Sequence, residues 1–304
     1  MASPAELPRA AELPRPAELP RVGVVFRPQL PPERMREFVL TAEAAGLDDV
    51  WLWEDCFAEG GLASASAALA WTRSVRIGLG LMPVPLRNPA VAAMELATVQ
   101  RLFPGRFVPA VGHGVLAWME QVGERVRSPM TLLREWVTAA RALLHGETVT
   151  ARGEYIHLDQ VTLDWPPVTP PPVLVGARGP KTLALAGELA DGLVLDAGIS
   201  ADGVQRAVAR AAAVRPHEVV VYVLCGAGTQ GRDRVEAELA QLRQPLEDRG
   251  AFGSAQDVAR VIAAFHAAGA TSVILQPTAA DPDVDATIAL AGAARATLAA
   301  AAPA

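Results

Sequence analysis

Val173-Leu174-Val175-Gly176-Ala177-Arg178-Gly179-Pro180-Lys181-Thr182-Leu183-Ala184-Leu185-Ala186-Gly187-Glu188-Leu189-Ala190-Asp191-Gly192-Leu193-Val194-Leu195-Asp196 is the stretch on which the fold turns. Three apolar residues of a buried strand run into a glycine-rich turn. Helical apolar spacing follows (Leu183, Leu185, Ala186, Leu189), and Asp191-Gly192 leads into a second apolar strand. Pro180 suits the first helical position, where its missing N–H is not needed and its fixed φ already fits. The free N–H groups of that first turn, the helix dipole and the Arg178 guanidinium together make an anion site, for which a phosphate is the natural guest. The spacing equally allows a plainer reading, in which Gly176 and Gly179 only permit a tight strand-to-helix turn. A Walker A loop is excluded, because Lys181-Thr182 follows Pro180 and not the last glycine of a G-x-x-x-x-G-K-T motif.

The same strand-helix alternation extends outward in both directions. Val22 to Phe26 reads as a strand, Pro32 to Ala45 as an amphipathic helix closed by Gly46, and Asp49 to Trp53 as a second strand. A helix around Ala65 to Trp71, a strand from Val75 to Leu81 and a proline-rich loop from Met82 to Pro89 come next. Ala90 to Leu102 is a helix ended by Pro104-Gly105, and Phe107 to Val111 is the fourth strand. Between Glu147 and Pro172 the helical period is lost, and alternation predicts a β-hairpin turned at Arg152-Gly153, an insertion between strands four and five. Val219 to Leu224 and Val273 to Leu275 supply strands seven and eight. Ser254 and Asp257 form a capping box, and Asp285 to Leu298 is the closing helix. Eight apolar strands alternating with helices is the count of a (β/α)₈ barrel, one domain over residues 22 to 304. Periodicity by itself also accommodates an open, doubly wound sheet. Residues 1 to 21 repeat Ala-Glu-Leu-Pro-Arg-like units at a proline density that opposes helix and strand, so a disordered tail is expected there.

With 51% apolar and 20% charged residues among 304, the chain has material for a large core. Net charge is −6, from 27 Lys plus Arg against 33 Asp plus Glu, and no basic block points to nucleic acid. Two cysteines, Cys56 and Cys225, fit a reducing compartment without a disulfide framework. Neither a signal sequence nor a long unbroken apolar run is read, and a cytoplasmic location is expected.

In a barrel of this kind functional residues gather where the strands end. The candidates are Glu54, Asp55 and Cys56 after strand two, Met82 to Asn88 after strand three, His113 after strand four, Arg178 after strand five and Asp196 after strand six. The histidines (His113, His145, His157, His217, His266) include no H-x-H or H-E-x-x-H pair, so no metal site is expected, and no G-x-S-x-G elbow occurs. An anion cradle with apolar walls and few acid-base groups suits a phosphate-bearing cofactor that carries the chemistry itself. His113 lies between Gly112 and Gly114, which would let the imidazole approach a planar ring; it and Asp55 are the proton-handling candidates, with Glu54 beside them. Each has a plainer alternative: a loop-bonded histidine, a helix N-cap, a carboxylate facing water. Cys56 reads as a small wall residue, and Trp53, Trp118, Trp136 and Trp165 as packing.

Leu102-Phe103-Pro104-Gly105-Arg106-Phe107 leading to Val111-Gly112-His113-Gly114 resembles the luciferase-like barrel superfamily. So do Gly176-Ala177-Arg178-Gly179-Pro180, Ala190-Asp191-Gly192 and Gly46-Leu47-Asp48-Asp49-Val50-Trp51. The resemblance spans residues 22 to 300 and is stronger to the branch that uses the deazaflavin F420. It implies a TIM barrel whose mouth holds the cofactor ring, with the phosphate arm against Gly176, Ala177, Arg178, Gly179 and Pro180. Strand three is then expected to end in a bulge with a non-proline cis peptide near Gly80, Leu81 and Met82, supporting the ring. Where that branch often has Asp-His after strand two, this chain has Asp55-Cys56. The implied function is an F420-dependent oxidoreductase acting on a small organic molecule, as a homodimer. An FMN-dependent monooxygenase fed by a separate reductase, or a non-catalytic flavin-binding protein, is the alternative.

Overall fold

A computed structural model describes residues 19–213 and 217–301. Of the tail expected over residues 1–21, residues 1–18 lie outside that set, and Arg21 already belongs to the first strand. From the N-terminus the elements are β1 (Arg21–Phe26), α1 (Met35–Ala44), β2 (Asp49–Leu52), α2 (Gly61–Trp71), β3 (Arg76–Pro83), α3 (Pro89–Leu102), β4 (Phe107–Gly112), α4 (Leu116–Gln121) and α5 (Pro129–Leu144). The hairpin β5 (Val149–Arg152) and β6 (His157–Val161) follows, then β7 (Leu174–Gly176), α6 (Pro180–Leu189), β8 (Gly192–Leu195) and α7 (Ala201–Ala211). The chain closes with β9 (Glu218–Gly226), α8 (Gly231–Gln241), β10 (Gly250–Phe252), α9 (Ala255–Ala267), β11 (Ser272–Pro277) and α10 (Val284–Ala301).

The parallel strands run in the order β1-β2-β3-β4-β7-β8-β9-β11, and β11 pairs back onto β1, which closes the barrel and excludes the open sheet. Strand alternation sorts the apolar residues into two cores. Outward residues such as Ile77, Leu79, Val175 and Val221 pack under the helices; inward ones (Val25, Trp51, Val108, Ala110, Leu174, Val220, Tyr222, Ile274) fill the barrel. Trp51 is the largest of these, and Gly78 makes room for it: a Cβ at residue 78 would lie 2.2 Å from the indole.

The hairpin turns at Gly153 as expected, and Glu135 on α5 pins it by accepting from the N–H groups of Glu154, Tyr155 and Ile156 at 2.8–2.9 Å. The Ser254–Asp257 capping box opens α9. Gly46 takes φ +74° after α1, as a C′ residue should. The first helix differs from expectation in starting as a 3-10 turn over Pro32–Arg34. The three-residue strand β10 was not foreseen. It pairs with Leu224 to Gly226 of β9, on the edge that β8 covers only as far as Val221. By length and composition α10 is apolar enough to cross a bilayer, although Asp285 and Arg295 break it as an apolar run, in keeping with the sequence reading. Alanine dominates it, and Thr287, Ile288, Ala291 and Ala294 pack against the barrel.

Glu43 ties α1 to the start of β3, accepting from the N–H groups of Arg73, Ser74 and Val75 at 2.8, 2.7 and 3.1 Å and from the Ser74 hydroxyl. Burial works to raise its carboxyl, but these donors outweigh it and hold the group at about 2, against 4.5 when free. A depressed folded value means the stabilisation is present above about 4.5 and is lost as pH falls towards 2. Glu43→Ala is expected to cost roughly 1–2 kcal/mol at neutral pH, after discounting for solvent screening. Urea unfolding near pH 7 and near pH 3 checks this; a cost that does not shrink in acid would refute the linkage.

Candidate active site

The C-terminal ends of the barrel strands form a mouth shaped by the end of β3. Pairing with β4 runs from Ile77↔Phe107 to Gly80↔Ala110 and resumes at Met82↔Val111, so Leu81 is an inserted bulge residue. The Gly80–Leu81 peptide is cis. Bulge and cis bond stand where the sequence reading put them. The bulge directs two successive residues, Gly80 and Leu81, inward and returns Met82 to the outer core, where its side chain is 1% exposed.

Leu81 lies across the ends of β4 and β7. A Cβ on Gly112 would meet its Cδ2 at 2.7 Å and one on Gly176 at 2.3 Å, so both glycines answer to this side chain. Gly179, the α6 N-cap at φ −89°, has nothing within 4 Å of an added Cβ and no conformational need for glycine. The plain reading of a turn built on glycine freedom therefore does not explain this loop; packing on Leu81 explains Gly176.

Around this floor stand Trp53 and Ala197, partly buried, and Tyr222, 4% exposed. The Trp53 and Tyr222 ring centroids are 5.9 Å apart, and the Arg27 guanidinium lies 5.5 Å from the Trp53 centroid. Arg27 is fixed by Glu238 at 2.7 Å and by the Pro277 carbonyl at 2.9 Å. Trp53, Tyr222 and Arg27 were not among the sequence candidates. Trp53 was signalled by the two-residue step from Trp51, and Tyr222 by a phenol at the inward register of an otherwise aliphatic strand.

Of the adjacent carboxylates after β2, Glu54 is clamped by Arg87, whose Nη1 and Nη2 donate to its two oxygens at 2.9 and 2.5 Å. The Arg87 carbonyl in turn accepts from the Trp136 indole at 2.8 Å. Glu54 thus staples two loops together. Asp55 is half-buried; burial pushes its carboxyl up and Arg27 pulls it back in part. Burial likewise raises the Cys56 thiol, with Glu54 and Asp55 adding to it, which leaves Cys56 an unreactive wall residue.

His113 Nε2 lies 3.4 Å from Thr182 Oγ1 in the first turn of α6. Burial lowers its imidazolium below 6.5, opposed by the Pro129 carbonyl, so the ring is neutral at physiological pH. Gly114 follows at φ +69° with its α-carbon packed towards Pro83 and Met119. On α6 the hydrogen-bond ladder begins with Leu183 donating to Gly179, which leaves the N–H groups of Lys181 and Thr182 outside it, and Pro180 has none. Arg178 is exposed and ion-paired with Asp196 at the end of β8. Ala177 turns its methyl into the outer core and donates its N–H to Val194.

Asp55, Leu81, Gly112, His113, Gly176 and Arg178 thus share one end of the barrel. The Met82 and Ala177 side chains do not reach it. Three polar atoms at this end, Trp53 Nε1, Glu59 Oε1 and His113 Nδ1, are buried without a partner among the described residues. Apolar walls, unmet polar edges and a cationic helix start fit a flat, phosphate-bearing heterocycle.

Residues 17–272 match the luciferase-like monooxygenase family. The chain is 30% identical to a 5,10-methylenetetrahydromethanopterin reductase of Methanolobus tindarius over 268 residues, 88% of this chain and 77% of the relative. It is 34% identical to an F420-dependent glucose-6-phosphate dehydrogenase of Nakamurella multipartita over 190 residues, 56% of this chain and 54% of that protein. An F420-dependent secondary alcohol dehydrogenase, solved with an F420-acetone adduct, superposes with a TM-score of 0.79 at 22% identity, over 92% of this chain and 99% of its own. At that identity it shows the fold.

Proposed function

The chain belongs to the luciferase-like monooxygenase family, and from that premise we propose that it is an F420-dependent oxidoreductase acting on a small organic substrate. The observation that carries the reading is the Leu81 floor, with Trp53 and Tyr222 around it, at the barrel end that also carries half-buried Asp55 and His113 and the cationic start of α6. The names of the two sequence relatives support the cofactor class.

When bound, the deazaflavin supplies two-electron hydride chemistry at a ring carbon. Leu81, packed over Gly112 and Gly176, would support the ring, and Arg178, Lys181 and the α6 N–H groups would hold its phosphate arm. Trp53, Leu81 and Tyr222 exclude water and orient the reacting face. His113, neutral and with no well-formed hydrogen bond at Nδ1 among the described residues, would take or return the accompanying proton, and Asp55 would face the polar edge of the site. Glu54 shapes the β2 loop through Arg87 and moves no proton. The protein works in the cytoplasm as a homodimer, for which Val91, Met94 and Leu102, exposed on α3, provide an apolar surface.

Titration of the purified protein with oxidised F420 and with FMN tests this. F420 is expected to bind more tightly, and Arg178→Ala to weaken it about tenfold, the value of one charge-assisted phosphate contact at an exposed site. Light scattering on the same sample reads the dimer. Preference for FMN would put an oxygen-consuming monooxygenase with a partner reductase in its place.

A further inference from the structure

Tyr222 lines the mouth just described, and the Leu81 floor also rests on it. A phenol that is 4% exposed needs partners for its hydroxyl; it donates to the Gly80 carbonyl at 3.4 Å, with the Trp53 side chain beside it. A Cβ on residue 80 would lie 2.4 Å from that oxygen, so Gly80 is glycine because the hydroxyl occupies the side-chain position. A bulge interrupts the strand ladder, and polar backbone atoms there need partners from elsewhere. The phenol also packs edge-on against Trp51 at 5.8 Å and beside Trp53, which fixes its own ring. Contacts therefore run without a gap from Tyr222 on β9 to Gly80, through Leu81, to Gly112 on β4 and Gly176 on β7.

We propose that Tyr222 is a positioning residue: its hydroxyl, donating to the Gly80 carbonyl, sets the plane of the bulge peptide and so the depth at which Leu81 presents the floor to the ring. Burial, opposed by the Trp53 side chain and reinforced by Asp196 and Asp55, holds the phenol well above its ordinary value and hence a donor at neutral pH. Without the hydroxyl the Gly80 carbonyl is left buried and unmet, and the bulge is free to tilt.

Tyr222→Phe keeps the ring and the packing and deletes the contact. Hydrogen exchange of the full-length, cofactor-free protein is the direct test. Backbone amides of residues 80–82 are expected to exchange about three- to tenfold faster, and those of β11 at the parent rate. The F420 dissociation constant is expected to rise by a similar factor with the unfolding midpoint nearly unchanged, a split that loss of packing alone would not give. Parent-like exchange at residues 80–82 would overturn the assignment. The affinity measurement rests on the deazaflavin reading and the exchange measurement does not, so a parent that fails to bind F420 refutes that reading and leaves exchange to decide Tyr222.

Discussion

Replacing Arg76 by alanine is expected to destabilise the barrel by about 3–5 kcal/mol, the cost of stranding a buried charge. Arg76 opens β3 at the N-terminal face, donating from Nε and Nη2 to both oxygens of Asp49 at 2.8 and 2.9 Å and from Nη2 to Glu218 at 2.7 Å. Asp49 on β2 is 1% exposed, and Ser272 of β11 reaches Glu218 at 3.4 Å, so one guanidinium links strands on both sides of the barrel floor. Burial raises the Asp49 carboxyl above 3.8 even with Arg76 in place, and the neighbouring Glu218 adds to it. Folding thus favours the protonated acid, and this group's contribution falls as pH rises from 3.8 to its folded value. Without Arg76 that decline should extend to higher pH. Chemical denaturation of Arg76→Ala across pH, with Asp49→Asn added, checks both parts: the second change should recover stability at neutral pH. If it recovers nothing, the stranded charge is not the cause.

His113→Ala is expected to lower turnover by a factor of about 10² to 10⁴, the usual range for a positioned acid or base, while F420 affinity changes about threefold or less. The imidazole is well placed for this: Nε2 lies 3.4 Å from Thr182 Oγ1, and the ring is buried beside the Pro129 carbonyl. Because burial depresses its pKa below 6.5, activity that needs the neutral ring should persist below that pH and fall only when the lowered value is passed. Asp55→Asn is the companion measurement, since it keeps the shape and removes the charge. A His113→Ala enzyme with parent-like turnover, and loss in Asp55→Asn alone, would transfer the proton step to Asp55. Steady-state rates against pH for the three proteins decide between them.

Adjacent carboxylates show where reading the chain reaches its limit. Glu54 and Asp55 are indistinguishable by strand-end position, and the distinction comes from Arg87, 33 residues away, which clamps the first of them. In the same way Asp191-Gly192, part of the family resemblance, belongs to the framework. Asp191 pairs with Arg141 of α5 and accepts from Val173, securing the start of β7. Arg106 of the Pro104-Gly105-Arg106-Phe107 signature likewise donates to the carbonyls of Thr72 and Val75. These residues hold strands in register at the face opposite the mouth.

The sequence by itself determined the order and kind of nearly every element, because hydrophobic period, glycine at helix ends and the Ser254 capping box are local properties. It also determined the inserted hairpin and, through family resemblance, the place of the β3 bulge. Tertiary structure alone decided which side chains meet. Leu81 accounts for Gly112 and Gly176, Trp53 and Tyr222 form the mouth, Glu54 is withdrawn into an ion pair, and β10 takes the edge that β8 leaves open. The reason is that periodicity reports which face of an element is buried, whereas a site is made by contacts between strands far apart in sequence, and closure of the barrel selects those.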